Sequence, residues 1–398
     1  MREIKLASKA IVFAGFFAIA MPVFAQETGE TTSASAQVES EVHWSPEQLV
    51  QLRQWIASSG EDALPAIPMA PLDEAIASAD PQLIDHAATA LALKLARMHL
   101  VGTTGTSARR GWHIEDTDAK IDLDAWLKRA LAAGGVDSFF SAMQPQPAQY
   151  ALLREALANE ANAQRRKAIA NNMERWRWMP RSLGKDYILV NAASFTAGLW
   201  RDGQQVGEWR VIVGKRSTPT PVFSATVTGV IINPWWNIPA SIVREKRGSF
   251  PARLGYVRSG SGWRQKPGPA NALGQMKLAM PNPYNVYMHD TPSKHLFEKK
   301  ERAYSHGCIR TADALGFAAT LLQGVKSRAE IDAIVTSRKT TEIDLAASIP
   351  VYITYFTASA APDGTVTVHD DIYNRDRGFT ALAATESECS LSGKRGAG

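Results

Sequence analysis

Two short runs hold the residues best suited to chemistry, Tyr287-Met-His-Asp-Thr-Pro292 and Ser305-His-Gly-Cys-Ile-Arg310. His289 precedes Cys308 by 19 residues. A thiol must lose its proton before it attacks a carbonyl, and an imidazole can accept that proton and later return one to a leaving amine. Cys308 is therefore the candidate nucleophile and His289 its candidate base. The stretch from Thr311 to Leu322 reads as a helix capped by Thr311, which predicts a Cys308 thiolate favoured by the helix dipole. Backbone N–H groups around His306, Gly307 and Cys308 can then converge on a developing oxyanion. Gly307 suits a backbone that approaches its substrate closely.

Other uses of the same residues stay open at this level. Free cysteines are commonly inert core residues. His289, His306 and Cys308 offer three zinc ligands, but no fourth is evident and the spacing is not that of a closed site, so neither metal nor cofactor is expected. Cys389, the second cysteine of the chain, could pair with Cys308 if the protein is exported. Against that pairing, Cys389 lies in a polar Gly/Ser-rich tail over 377–398 that reads as disordered.

The elements that position these residues divide the chain in two, an α+β organisation. Residues 1–25 combine Arg2, Lys5 and Lys9 with an apolar run and the small-residue ending Val23-Phe-Ala25, the pattern of a cleaved signal peptide. Residues 26–41 read as a Ser/Thr/Glu-rich linker. From 42 to 170, Ala and Leu recur at helical spacing, predicting an all-α scaffold domain. Asp80-Pro81 starts a helix with Leu83, Ala87, Leu91, Leu95 and Met98 on one face; Asp122 starts another ending at Gly134-Gly135; a third runs from about Pro147 towards Trp176. His86 and His99, on the first of these, lack partners at ligand spacing and read as ordinary helix-face histidines.

Alternating runs at Tyr187–Asn191, Glu208–Val213, Phe223–Ile232, Val351–Phe356 and Thr365–Val368 predict a β-rich domain over 171–376. Helices are inserted between Thr311 and Thr336, the second opened by a Ser327/Glu330 capping box. Residues 249–271 are too rich in Gly and Pro for a regular element and read as a surface loop, either a lid or a passive connection.

The formal charge is +5, and removing the first 25 residues leaves +3. That excess suits a carboxylate-bearing polymer, while the absence of a dense basic cluster speaks against nucleic acid. No stretch beyond the leader is apolar for long enough to span a bilayer.

His289 followed by Ser305-His-Gly-Cys308 resembles the signature of L,D-transpeptidase (YkuD-like) catalytic domains. The similarity extends to Asn172-Met-Glu-Arg-Trp-Arg-Trp-Met-Pro-Arg181, Val213-Gly-Lys, Asn233-Pro-Trp-Trp-Asn-Ile-Pro239, Pro267-Gly-Pro-Ala-Asn-Ala-Leu-Gly274 and Tyr287-Met-His-Asp-Thr-Pro292, which resemble the large YcbB-like branch. The resemblance implies that Cys308 is the nucleophile and His289 the general base and acid. It implies oxyanion stabilisation by Tyr287 and by the amides near His306 and Gly307. Asp290 would orient the base, through its side chain or its carbonyl. Arg310, Ser305, Asn233, Trp235 and Trp236 would bind substrate, Arg310 by meeting a carboxylate. The implied partners are peptidoglycan stem peptides in the periplasm, with a cell-wall synthase or envelope protein as a further candidate. Longer members insert a peptidoglycan-binding module before the tryptophan-rich segment; here Leu153–Glu160 runs almost directly into Asn171.

Overall fold

The structure, a computed structural model, describes residues 42–109 and 111–377. The leader, the linker and Cys389 lie outside those residues, as do tail positions 378–398.

Among the described residues, seven α-helices come before the main strands: α1 (Pro46–Ala57), α2 (Ala70–Ser78), α3 (Pro81–Val101), α4 (Leu123–Ala132), α5 (Val136–Met143), α6 (Ala148–Asn159) and α7 (Ala163–Trp176). Their starts follow local chemistry. Ser45 and Gln48 close a capping box on α1, while Asp80, Asp122 and Asn162 each accept backbone N–H bonds at the starts of α3, α4 and α7. The spacing predicts one helix from Pro147 to Trp176, whereas the chain breaks at Glu160–Asn162 and restarts on the Asn162 cap. Helices α1 to α5 enclose one apolar core, and α6 and α7 bury their apolar faces in a second core shared with the strands. Ala63 and Ile114 also belong to that second core.

A buried polar cluster joins these parts. Glu174 accepts the N–H groups of Thr103 and Thr104, each at 2.7 Å, the Trp178 indole N–H and the Arg177 guanidinium at 3.0 Å. Arg177 also donates to the Tyr150 hydroxyl and the Asp62 carbonyl, and Tyr150 donates to the Asp62 carboxylate. Buried charges persist only when paired in this way.

The strands are β1 (Trp112–His113), β2 (Tyr187–Asn191), β3 (Thr196–Arg201), β4 (Gln204–Gly214), β5 (Val222–Ile232), β6 (Trp236–Asn237), β7 (Tyr256–Ser259), β8 (Gly262–Gln265), β9 (Met276–Ala279), β10 (Met288–His289), β11 (Ala303–Ser305), β12 (Ile309–Thr311), β13 (Thr341–Thr354), β14 (Ala358–Ala360) and β15 (Val366–Val368). Helix α8 (Ala240–Glu245) follows β6, and α9 (Ala314–Leu321) and α10 (Arg328–Ser337) lie between β12 and β13. The main sheet runs β1-β5-β13-β2-β3-β4-β12-β10-β9, and a further β5–β9 pairing closes its path into a ring.

Two local expectations are corrected. Residues 249–271 are not irregular: β7 and β8 form a hairpin that pairs with β6. The fully buried Gln265 amide binds the Leu254 and Ala270 carbonyls, so side-chain hydrogen bonds supply order that the Gly/Pro content hides. Thr311 does not cap a helix. It is a buried residue of β12 paired with Val211, and Asp313, in a left-handed conformation at φ 40°, caps α9 by accepting the Gly316 N–H.

Candidate active site

Three short strands build the site face. Parallel pairing of β10 and β12 sets Met288 beside Ile309 and His289 beside Arg310, and antiparallel pairing of β9 and β10 sets Lys277 beside His289. Met288 and Ile309 are fully buried in the core. Because side chains alternate between faces, Tyr287, His289, Cys308, Arg310 and Lys277 share the opposite one. The Ile309 N–H bond to the Tyr287 carbonyl at 2.8 Å fixes that register next to the cysteine.

His289 is buried, and its Nδ1 lies 2.5 Å from the Asp290 carbonyl oxygen. A carbonyl only accepts, so Nδ1 carries the proton and Nε2 keeps its lone pair as the base. The carbonyl of Asp290 does the orienting, because its carboxylate turns away to the Gln275 N–H at 2.8 Å and to Lys294. Gly274, at φ 61°, leaves room for that carboxylate; a Cβ there would collide with it.

Burial pushes the His289 imidazolium down to about 3, helped by the nearby Arg310 cation. Burial likewise pushes the Cys308 thiol up, and the Tyr287 N–H, Lys277 and Arg310 oppose the rise without cancelling it. The resting pair is thus neutral thiol and neutral imidazole. This corrects the expectation of a dipole-stabilised thiolate, since β12 separates Cys308 from the start of α9. The thiol also donates to the Asn285 carbonyl at 3.9 Å.

The cysteine turn is held from within. Gly307 takes φ 111°, a value that L side chains rarely adopt. Its N–H, offered by the sequence to an oxyanion, donates instead to Ser305 Oγ at 3.0 Å. The buried Ser305 Oγ donates to the Cys308 carbonyl, so its hydroxyl is spent on the turn and not on substrate. Thr220 Oγ1 donates to the Gly307 carbonyl at 2.9 Å. His306 reaches outward, its Nε2 2.8 Å from the Glu245 carboxylate at the end of α8.

Asn233 is also spent internally. At φ 53° and buried, it donates its amide to the Ile334, Val335 and Lys339 carbonyls around the end of α10, so it clamps that end. Trp235 and Trp236 are half-buried; the Arg264 guanidinium lies 4.2 Å from the Trp235 ring centroid, and Trp236 pairs with Gln265. Arg310 keeps its Nε buried without a partner, in a position to receive an acceptor. Lys277 was not legible as a site residue in the sequence. Its Nζ sits 3.6 Å from the Tyr287 ring centroid and its charge faces Cys308. The available signal was a cation between Met276 and Leu278, two fully buried neighbours. Among the described residues no cluster of His, Cys, Asp or Glu could hold a metal ion.

Scaffold and β-rich parts define the chain as a two-part protein: residues 36–157 match the scaffold domain and residues 185–336 the L,D-transpeptidase catalytic domain. Residues 185–336 thus belong with the L,D-transpeptidase catalytic domains. A Haemophilus influenzae protein, assigned to the L,D-transpeptidases by name, is 31% identical over 241 residues, covering 52% of this chain and 48% of the relative. The chain thus spans about half the length of that curated relative. An L,D-transpeptidase from Mycobacterium smegmatis is similar at 13% identity and TM-score 0.25, over 43% of this chain and 58% of that one. L,D-transpeptidase 3 from Mycobacterium tuberculosis, in complex with a faropenem-derived adduct, is similar at 18% identity and TM-score 0.25, over 43% and 60%.

Proposed function

We propose that this protein forms 3→3 crosslinks in peptidoglycan through an acyl-enzyme on Cys308, acting in the periplasm with residues 1–25 as its export signal. The supporting observation is the register that sets Cys308 and His289 on one face of adjoining strands, with the His289 proton fixed on Nδ1. His289 Nε2 takes the thiol proton as sulfur attacks the carbonyl of the third, diamino-acid residue of a tetrapeptide stem. The peptide bond to D-alanine breaks, and the imidazolium returns its proton to the leaving amine. The side-chain amine of a second stem then attacks the thioester, its proton passes to His289, and the thiol is regenerated. An imidazole so strongly disfavoured as a cation gives its proton up readily, which suits the acid half of the cycle. Arg310, with its unpartnered Nε, would hold a stem carboxylate.

Tetrapeptide muropeptides given to the mature protein test the proposal. Dimers joined between diamino acids are expected, and they should vanish in Cys308→Ala. Tripeptide monomer alone would assign hydrolysis instead, and transfer to a protein lysine would assign envelope-protein attachment. A Cys308→Ala variant with full cellular activity would leave only a peptidoglycan-binding scaffold. Carbapenems should acylate the same thiol, read as an intact-mass adduct missing from Cys308→Ala.

A further inference from the structure

Behind the cysteine turn, on the far side of Thr220, lies a polar cavity of about 480 Å³. It opens between the segment around Trp112, the end of α7 and the strand-free segment 373–377. Four arginines line it, Arg109, Arg175, Arg375 and Arg377, and among the described residues no carboxylate does. Two of those cations are engaged elsewhere. Arg109 donates to the Val101 and Thr104 carbonyls, and Arg175 pairs with Asp376 at 2.7 Å.

Arg375 differs. Its guanidinium lies beside the stacked rings of Tyr355 and Tyr373, 5.0 and 5.2 Å from their centroids, and one terminal nitrogen donates to the Thr220 carbonyl at 3.3 Å. The other, Nη1, is buried with no partner among the described residues, and so is Nε1 of Trp112. Both residues line the same cavity. Buried donors without acceptors are rare and costly, and two in one cationic cavity mark a place where an acceptor is missing. Arg375 is already immobilised by its rings, so a ligand need not pay to order it.

We propose that this cavity binds a carboxylate, which accepts from Arg375 Nη1 and from the Trp112 indole N–H. A carboxylate is acceptor-only and planar, as the edge of a guanidinium requires. Two sources carry that chemistry: a peptidoglycan stem peptide, which rests on the function proposed above, and a free organic acid, which does not.

Isothermal titration of the full chain as its Cys308→Ala variant tests the site without turnover, so failure of the acyl-enzyme proposal leaves the measurement intact. The probes are a stem tetrapeptide, citrate and inorganic phosphate. At least one carboxylate probe should bind with Kd below about 1 mM. Affinity should fall at least tenfold on adding Arg375→Gln. Binding of the tetrapeptide but not citrate assigns the stem peptide as ligand; the reverse assigns a free acid. No binding by either, tighter binding of phosphate than of both, or equal affinity in Arg375→Gln overturns the proposal. Circular dichroism reports whether Arg375→Gln folds. If it does not, Arg375→Lys decides, since it keeps the charge and loses the fork; unchanged affinity there overturns the proposal as well.

Discussion

Replacing Lys277 by Met should make Cys308 a poorer nucleophile at neutral pH by removing a charge while keeping the bulk of the side chain. Lys277 faces His289 across the β9–β10 pair, and its ammonium sits 3.6 Å from the centroid of the Tyr287 ring beside Cys308. With β10 between them, two strand spacings put the ammonium about 10 Å from the sulfur. At an effective dielectric of about 20, two unit charges at that separation attract by roughly 1.7 kcal/mol. The ammonium is partly open to solvent, which screens the pair, and about 1 to 1.5 kcal/mol is a fair remainder. That amounts to about tenfold less thiolate at a given pH below the thiol's titration. The assay is the rate of Cys308 alkylation by iodoacetamide as a function of pH, in wild type, Lys277→Met and Lys277→Arg. The Met variant should be about tenfold slower near pH 7.5 and should approach the wild-type rate at high pH, while Arg keeps the charge and the rate. A Met variant within twofold of wild type refutes the electrostatic reasoning. Slowing by one factor at every pH also refutes it, because that is the mark of a reshaped cleft.

The other expectations concern the same geometry. With His289 held down to about 3, the wild-type alkylation profile should show no inflection near pH 6.5, only a rise above the ordinary thiol range; a limb near 6.5 would mean an exposed imidazole. Burial raises the Glu174 carboxyl but Arg177 and the N–H donors outweigh it, leaving it lowered. Its contribution is therefore present above the unfolded carboxyl range and lost as pH falls through the folded value, so Glu174→Ala should cost about 3–5 kcal/mol in denaturant melts at pH 7 and less in acid. Asn233→Ala should cost about 2 kcal/mol in the same melts, for three buried carbonyls losing a donor, and leave alkylation of Cys308 unchanged; a loss of alkylation with normal stability would return Asn233 to the cleft.

Local signals were legible wherever the physics is local. Caps at Asp80, Asp122 and Ser327, the alternation at Tyr187–Asn191, and the His289 and Cys308 runs all depend on neighbours within a few positions. The order of the chain, helical scaffold first and β-rich domain second, follows from the same periodicities. The resemblance of residues 185–336 to L,D-transpeptidase catalytic domains was carried by side-chain types at short spacings, which need no tertiary structure.

What the sequence could not decide depends on residues far apart. Asn233 looked like a cleft residue because its amide can bind anything; the end of α10, about a hundred positions on, takes that amide. Ser305 and Gly307 looked open to substrate, and a tight turn pairs them with each other. Lys277 became a site residue only when β9 paired with β10. Cys308 itself was identified from its neighbours, yet the state of its proton was misread. Protonation depends on burial and on the charges of Lys277 and Arg310 from two strands, and both arise only when the sheet closes.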